Sequence, residues 1–511
     1  MKKTILVLVV LALLVPASAF AATEFSLGGF IKLDTFWDSS QDSKNAFQVI
    51  SRNNDALFHH GQFNMTAQGS RFNFTIKGPK LWGATTTGFI EMDFDGQGDT
   101  NLSSLTGAVG TPGSTSAYQP RLRHAMFRLN WPETELMFGQ YWGLFSEFAP
   151  ECTGDGTFLF HGWTFQRQPQ IRLTQKFAGD WTVAGAVLKP YDPAGVDVNF
   201  TGSPSSLPAG SIGSQLPGGL IANTATGALG ATGGEEGRSS ETPQLQAKLA
   251  YEKDLWGKAP FYGRPRGFVA QVNGGWQRTR YRANAAPTSG ILTLGQNAFG
   301  TTTVLQNSQS YLDPWCVQGT LFIPVLPTYS NNLAGSASIT AEYFVGQGVS
   351  FLGAGRDQDN SWFDFSGRNA AGQLVYNRKL TSQYGGYLQG QYWFTNQWFM
   401  TAIWSFTREF GFDQGSTAQA VSATNPVGYQ YASNNDQLKL WSEYDLTLWY
   451  RPIEALKFGL TYAYERCDFL QKVNNPVLPP ATTQSNAVAA NAGAKDMGDS
   501  HRIQFVAYMF F

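Results

Sequence analysis

The chain has 511 residues and a formal net charge of −1, and only 14% of its residues are charged while 14% are aromatic. Soluble domains usually carry about 25% charged residues, so much of this protein's surface is expected to face something other than water. The near-neutral charge excludes a nucleic-acid partner bound by a basic surface. The cysteines Cys152, Cys316 and Cys467 fit no metal-binding spacing. We predict no metal site and no cofactor.

The N-terminus has the features of a secretory signal peptide. Lys2 and Lys3 precede an apolar run that ends at Val15, and small residues follow it as a cleavage site requires. We therefore predict a signal peptide over residues 1–21 and one exported domain over residues 22–511. After the signal, no stretch approaches the roughly 20 continuous apolar residues that a membrane helix needs. This excludes a helical membrane protein.

From Glu24 or Phe25 onwards, segments of alternating apolar and polar residues recur, as in strands with one lipid-facing and one water-facing side. The connections between these segments are alternately short and long. The seven short connections, predicted as periplasmic turns, are Gly78 to Trp82, Trp131 to Glu133, Ala178 to Asp180, Leu255 to Pro265, Leu326 to Asn332, Thr395 to Gln397 and Pro452 to Ala455. The eight long connections, predicted as external loops, are residues 38–61, 96–118, 143–168, 190–242, 281–311, 347–380, 410–436 and 469–500.

Fifteen connections imply sixteen strands, and a single missed hairpin would make the number fourteen or eighteen. An even number with both termini in the periplasm is typical of single-chain outer-membrane barrels. The fold class predicted is therefore all-β, a transmembrane antiparallel β-barrel with long external loops. Aromatic residues beside the turns indicate an interfacial girdle. They are Trp131, Tyr251, Trp393, Trp398, Tyr450 and Phe511.

The final segment, His501 to Phe511, places Phe505 on an apolar side and Arg502 and Gln504 on a mixed side. A tilted strand of about 9 to 11 residues crosses the hydrocarbon layer of a membrane. Taken alone, this segment could also be an edge strand of a soluble sandwich. As the last of sixteen strands, it is expected to pair with strand 1 around Phe25 to Asp34 and to close the barrel.

The third long connection carries more aromatic residues than an exposed loop needs. We predict that it folds into the barrel and narrows the channel, with Glu147, Glu151 and Asp155 lining the opening. Phe158, Phe160 and Trp163 would then pack against the wall. The alternative is an external loop that packs on its neighbours or on another subunit.

Strand parity places a row of basic side chains toward the lumen. These candidate solute-selecting residues are Lys32, Arg71, His124, Arg128, Arg172 and Lys176. Such a row favours anions, because charged rings set which sign of solute passes and arginine can hold a carboxylate through two hydrogen bonds. The alternative is that Asp34, Glu91, Asp93 and Glu135 neutralise these charges. Arg121 and Arg123 have lipid-facing parity, so either a bulge intervenes or they lie above the membrane.

Other chemistry has little support. The acidic stretch Asp93 to Asp99 lacks the closing glutamate of a calcium loop, and His59 and His60 form an isolated pair in a loop. The five histidines lie on unrelated segments, and the nucleophile motif G-x-S-x-G does not occur. An enzyme is therefore not predicted.

Four stretches resemble the DcaP-like outer-membrane porins. They are Ser70 to Pro79, Ile90 to Phe94, Pro120 to Leu129 (with Arg-Leu-Arg-His-Ala) and Leu136 to Ser146 (with Gly-Gln-Tyr-Trp). The resemblance covers strands 2 to 5. It implies a sixteen-stranded barrel that assembles as a homotrimer and takes up dicarboxylates or similar small anions. It also implies a role for the basic residues of the matching stretches, Arg71, Arg121, Arg123 and Arg128.

The function predicted is an outer-membrane porin of a Gram-negative bacterium that lets small hydrophilic solutes diffuse passively, with anions such as dicarboxylates preferred. Its partners would be outer-membrane lipid, these solutes and further copies of itself. Two alternatives belong to other classes. One is a structural barrel that encloses a periplasmic partner such as an electron-transfer protein, and the less favoured one is an outer-membrane hydrolase.

Overall fold

The computed structural model describes residues 23–40, 53, 60–96, 119–154, 162–191, 197–199, 215–216, 220–221, 240, 242–284, 310–330, 332–352, 361–368, 374–410, 438–469 and 497–511. Within these residues, no helix has the length and apolar character needed to cross a membrane. The described part of the chain is almost entirely antiparallel β-structure.

Sixteen strands form one closed wall, which confirms the predicted number. They are β1 (Glu24–Asp38), β2 in two segments (Gln62–Thr66 and Arg71–Leu81), β3 (Ala84–Gly96), β4 (Gln119–Asn130), β5 (Thr134–Trp142), β6 (Arg167–Phe177), β7 (Trp181–Leu188), β8 (Gln244–Lys253), β9 (Phe268–Trp276), β10 (Trp315–Leu326), β11 (Ala337–Gln347), β12 (Ser382–Trp393), β13 (Trp398–Phe410), β14 (Leu438–Ile453), β15 (Leu456–Phe469) and β16 (Met497–Phe510).

Shorter elements lie outside the wall. They are the strands Asp197–Asn199, Gln215–Leu216, Leu220–Ile221, Ala259–Phe261, Arg264–Arg266, Thr279–Asn284, Ser310–Leu312, Ser361–Arg368 and Leu374–Leu380, and the 3-10 turns Leu144–Ser146 and Val349–Leu352.

The barrel closes between β1 and β16, in register from Phe30 opposite Phe510 to Asp38 opposite Arg502. The segment of β1 that was predicted to pair with β16, Phe25 to Asp34, therefore lies too far toward the N-terminus. The reason is that β1 extends past the end of β16, so that Glu24 to Phe30 pair with β2.

Side chains alternate between a covered inner face and an exposed outer face along the wall. On β16, Arg502 and Gln504 are 1% and 4% exposed, whereas Ile503 and Phe505 are 51% and 42% exposed. The exposed residues are apolar, as expected where lipid replaces water as the solvent. The inner face is polar and defines the lumen.

One of the seven predicted turns is at the predicted place but contains more structure than a simple turn. The connection between β8 and β9, predicted as the turn Leu255 to Pro265, contains a hairpin in which Ala259–Phe261 pairs with Arg264–Arg266. Ala259 is fully buried and packs in a cluster with Phe322, an inward residue of β10. The hairpin therefore folds into the barrel, because its apolar side chains gain burial there.

An aromatic cluster occupies part of the lumen near the turn end of β12 to β14. The rings of Trp393 and Phe399 stack with centroids 4.2 Å apart, and Trp449 lies 5.8 Å from Phe399. All three are buried with Leu333. The prediction that Trp393 belongs to the interfacial girdle was wrong, because its parity on β12 directs it inward.

A buried ion pair joins β1 and β16 at the closing seam. Arg502 Nη2 donates to Asp38 Oδ2 at 2.8 Å, and the guanidinium lies 4.2 Å from the ring centre of Phe36. Removing one partner of a buried pair leaves an uncompensated charge, which costs about 3 to 5 kcal/mol. We expect Arg502→Ala to lower the free energy of unfolding by about that amount in a urea titration. The double variant Asp38→Asn/Arg502→Gln should lose less, and an equal or larger loss would contradict this account of the seam.

Candidate pore constriction

The third long connection, predicted as residues 143–168, ends at residue 166 and is here called loop 3. Its described residues, 143–154 and 162–166, fold into the barrel, as predicted. Its 3-10 turn, Leu144–Ser146, is buried. Phe145 packs in one cluster with Cys316 and Phe344, which are inward residues of β10 and β11. Leu144 packs against the inward side of β7 at Ala186.

Loop 3 then follows the inner wall toward β15 and β1. Lys32 Nζ donates to the Thr153 carbonyl at 2.9 Å, and the hydroxyls of Thr153 and Thr461 are 2.9 Å apart. On the returning part of the loop, the Thr164 hydroxyl contacts Glu342 Oε1 on β11 at 3.3 Å. The loop therefore extends along the inner wall and reaches strands far from its own.

Two acidic residues of loop 3 form ion pairs that hold the loop in place. Glu147 binds Lys248 at 2.7 Å and Arg266 at 3.3 Å. Burial raises the pKa of Glu147, but these two cations outweigh burial and hold the pKa below its usual value. Glu151 binds Lys457 at 2.7 Å and accepts from the Gln391 amide at 2.7 Å.

Three of the side chains predicted to line the opening or pack against the wall, Asp155, Phe158 and Phe160, lie outside the described residues. Trp163 is buried and packs with Tyr387 and Ile403, inward residues of β12 and β13.

A β-bulge directs Arg121 and Arg123 into the lumen. Glu91 on β3 lies opposite His124, whereas the next residue, Met92, lies opposite Leu122, so that Arg123 is the extra residue. Arg123 and His124 are 2% and 3% exposed. Strict alternation of residues along β4 assigns Arg121 and Arg123 to the lipid side. The bulge is the reason that both face the lumen instead.

These two arginines are neutralised by acidic residues of β3. Arg123 binds Asp93 and Glu91 at 2.7 Å each, and Arg121 binds Asp93 at 2.7 Å and Asp95 at 2.9 Å. Three carboxylates thus hold two guanidinium groups. This part of the wall has no excess of positive charge.

Arg128 and Arg172 form a different arrangement, nearer the turn end of the barrel. They share a single carboxylate, Glu135, at 3.2 and 3.3 Å. Their guanidinium carbons lie 5.1 and 5.6 Å from the ring centre of Tyr141. The Nε atoms of both arginines are buried and have no hydrogen-bond partner among the described residues. Two positive groups therefore lie beside one aromatic ring.

The remaining predicted basic residues are distributed more widely. Lys32 is buried under loop 3 and binds Asp34 at 3.0 Å. Arg71 faces inward opposite Asp93 and lies 5.2 Å from the Phe30 ring centre. Lys176 is exposed at the turn end of β6, four residues beyond Arg172. It lies apart from the arginines.

Sequence reasoning missed Arg167, Tyr141 and Trp142. The Arg167 guanidinium lies 5.1 Å from the Trp142 ring centre, and His124 lies 4.6 Å from the Tyr141 ring centre. Arg167 has the opposite parity to Arg172, so alternation counts it as lipid-facing. The adjacent aromatic residues Tyr141 and Trp142 at the end of β5, next to loop 3, were the sequence feature that could have indicated this part of the site.

Together these side chains form what we call the arginine sector, on the inner face of β2 to β6. Its six arginines are Arg71, Arg121, Arg123, Arg128, Arg167 and Arg172, and its four carboxylates are Glu91, Asp93, Asp95 and Glu135. Counted over the described side chains of this sector, with His124 neutral, six positive and four negative charges leave +2.

A second charged region, which the sequence analysis also missed, lies on the inner face of β13 to β15. Its carboxylates are Glu409, Glu443, Asp445 and Glu465, all buried. The Gln383 amide donates to Glu409, the Thr447 hydroxyl to Asp445 and the Trp441 indole to Glu465. The lumen therefore has a basic wall and an acidic wall.

Comparison with known proteins gives information at the level of the fold. No family model matches the chain, and no curated protein matches it. The solved outer membrane channel DcaP of Acinetobacter baumannii superposes with a TM-score of 0.56 at 14% identity, over 96% of this chain and 98% of that one. An anion-selective porin from Comamonas acidovorans gives 0.45 at 9% identity, over 96% of this chain and 100% of that one.

A closed antiparallel barrel with an apolar exterior is the architecture of an outer-membrane channel. The chain has this fold, which locates it in the outer membrane of a Gram-negative bacterium. The resemblance to DcaP is confirmed for the fold.

Proposed function

We propose that the protein is a porin for passive diffusion that prefers small anions. The observation that carries the proposal is the pair Arg128 and Arg172, which share the single carboxylate Glu135 within a sector of net charge +2. Charge on the wall of a pore determines which sign of solute enters favourably. The acidic residues of loop 3 that the structure describes, Glu147 and Glu151, are bound to Lys248, Arg266 and Lys457. The carboxylates of β13 to β15 are 0% to 7% exposed, so they present little charge at the surface that a solute meets.

Within anions, we propose dicarboxylates as the preferred class. A guanidinium presents paired donors that match a carboxylate, and Arg128 and Arg172 offer two such groups beside Tyr141. The resemblance to DcaP-like porins points the same way. We propose a homotrimer on that resemblance alone, and light scattering of the detergent-solubilised protein tests it.

The alternatives receive less support. A barrel that encloses a periplasmic protein needs an open lumen, whereas loop 3 occupies part of this one and reaches from β5 to β15. A hydrolase needs a serine next to a histidine ring. In the described part of the chain, the histidine rings contact aromatic residues, glutamate and a backbone carbonyl instead.

Transport into liposomes tests the proposal. Purified protein should make liposomes swell in isotonic succinate clearly faster than in isotonic putrescine, a dication of similar length, and should give discrete current steps in a planar bilayer. Swelling that is equal in both solutes would remove the anion preference. Absence of both swelling and current steps would remove the porin assignment.

A further inference from the structure

The hairpin between β8 and β9, here called the inner hairpin (Lys258–Arg266), enters the lumen from the turn end of the barrel. Its strands pair from Ala259 opposite Arg266 to Phe261 opposite Arg264. Tyr262 and Gly263 form its tip with φ angles of 51° and 72°, the backbone of a tight hairpin turn. The tip thus reaches inward, opposite to the direction in which loop 3 enters.

The wall holds the inner hairpin firmly. Ala259 is fully buried, and the Phe261 ring lies 5.6 Å from that of Phe322 on β10. The Ser338 hydroxyl of β11 donates to the Pro260 carbonyl at 3.0 Å. Arg266 binds Glu252 of β8 at 2.9 Å. The hairpin is therefore a fixed support.

Loop 3 rests directly on this support. The Tyr262 hydroxyl lies 3.1 Å from both the Ala149 and the Pro150 carbonyl oxygens, and it donates its proton to this pair. Arg266 also binds Glu147 and lies 4.5 Å from the ring centre of Phe148.

Phe148 connects the two elements through its apolar ring. It is buried, and its ring centre lies 5.2 Å from that of Phe261. Hydrogen bonds, an ion pair and ring packing thus converge on four consecutive loop residues, Glu147 to Pro150.

We propose that the inner hairpin is the second half of the constriction and positions loop 3 from the periplasmic side. Tyr262 and Arg266 are its positioning residues. Without them, residues 147–150 would keep their contacts with the wall and the packing of Phe148 on Phe261, and they would move within the lumen. The hairpin thereby controls the bore of the pore and the steadiness of its current. The electrical part of this inference rests on the proposed channel function.

Two variants test the proposal, each with a matched control on the same side of the barrel. Tyr262→Phe removes the hydroxyl that contacts loop 3, whereas Tyr329→Phe removes an exposed hydroxyl that donates to the Trp256 carbonyl in the turn region. Arg266→Ala removes the ion pairs with Glu147 and with Glu252, whereas Arg264→Ala removes an exposed arginine of the same hairpin. Heat-modifiable migration on gels verifies that each variant forms the barrel.

Hydrogen–deuterium exchange of the peptide spanning residues 144–154 is the first measurement, and it does not depend on conductance. We expect exchange to rise about fivefold in Tyr262→Phe and about tenfold in Arg266→Ala, since a hydrogen bond contributes about 1 kcal/mol and a charge-assisted one more. The controls should match the wild type. Unchanged exchange in both variants, or an equal rise in the controls, would overturn the proposal.

Open-channel current noise is the second measurement. We expect larger fluctuations and a higher mean conductance in Tyr262→Phe and Arg266→Ala than in their controls. Raised exchange with unchanged currents would show that the hairpin holds a loop that does not set the bore, which would also overturn the proposal. If the wild type carries no current, the porin assignment fails, and the exchange measurement still decides whether the hairpin positions loop 3.

Discussion

Replacing Arg128 and Arg172 together by glutamine is expected to abolish the preference for anions. The double change leaves four arginines and four carboxylates in the arginine sector, so its net charge falls from +2 to zero. A unit charge about 8 Å from a passing ion contributes roughly 0.5 kcal/mol in water and 2 kcal/mol at an effective dielectric constant of about 20. The ratio of succinate to putrescine swelling rates should therefore fall at least about fivefold, to near one.

The control is Arg408→Gln, which removes one exposed arginine at the outer end of β13. Its swelling ratio should equal that of the wild type. Each single change, Arg128→Gln or Arg172→Gln, should give an intermediate ratio. If the double variant keeps the wild-type ratio, the selecting charge lies elsewhere in the lumen.

Excision of residues 144–165 is expected to raise single-channel conductance several-fold. Loop 3 occupies part of the lumen, and the resistance of a pore is set mainly by its narrowest part. The excision can be made without moving the wall, because the Gly143 amide donates to the Gln166 carbonyl at 2.8 Å and the loop ends already meet. A short glycine–serine link replaces the loop, and planar-bilayer recording measures the conductance.

A deletion of the same length within residues 470–496, the connection between β15 and β16, is the control. Its effect on conductance should be small compared with that of the loop 3 excision. Circular dichroism and heat-modifiable migration establish that both variants form barrels. Conductance unchanged by the loop 3 excision would show that the bore is limited elsewhere.

The strand number and the closure by β16 follow from the sequence, because alternation of two residues and connection length are local patterns. The inward fold of loop 3 also follows, since its aromatic residues need burial. The inner hairpin could not be predicted from these local patterns. Its length resembles that of an ordinary turn, and only the inward residues of β10, such as Phe322, show where Ala259 and Phe261 are buried.

The candidate site was predictable in its residue types and less so in its geometry. Alternation placed Arg128 and Arg172 inward, but it cannot detect the bulge at Arg123 or the parity of Arg167. Ion pairs between distant segments, such as Glu151 with Lys457, depend on the three-dimensional path of loop 3. Local sequence patterns hold no information about that path.

The reversal potential of the wild-type channel under a potassium chloride gradient tests the central claim most directly. The arginine sector, with its net charge of +2, predicts a potential whose sign corresponds to chloride permeating faster than potassium. A potential of zero, or one whose sign corresponds to faster potassium, would contradict an anion-preferring pore.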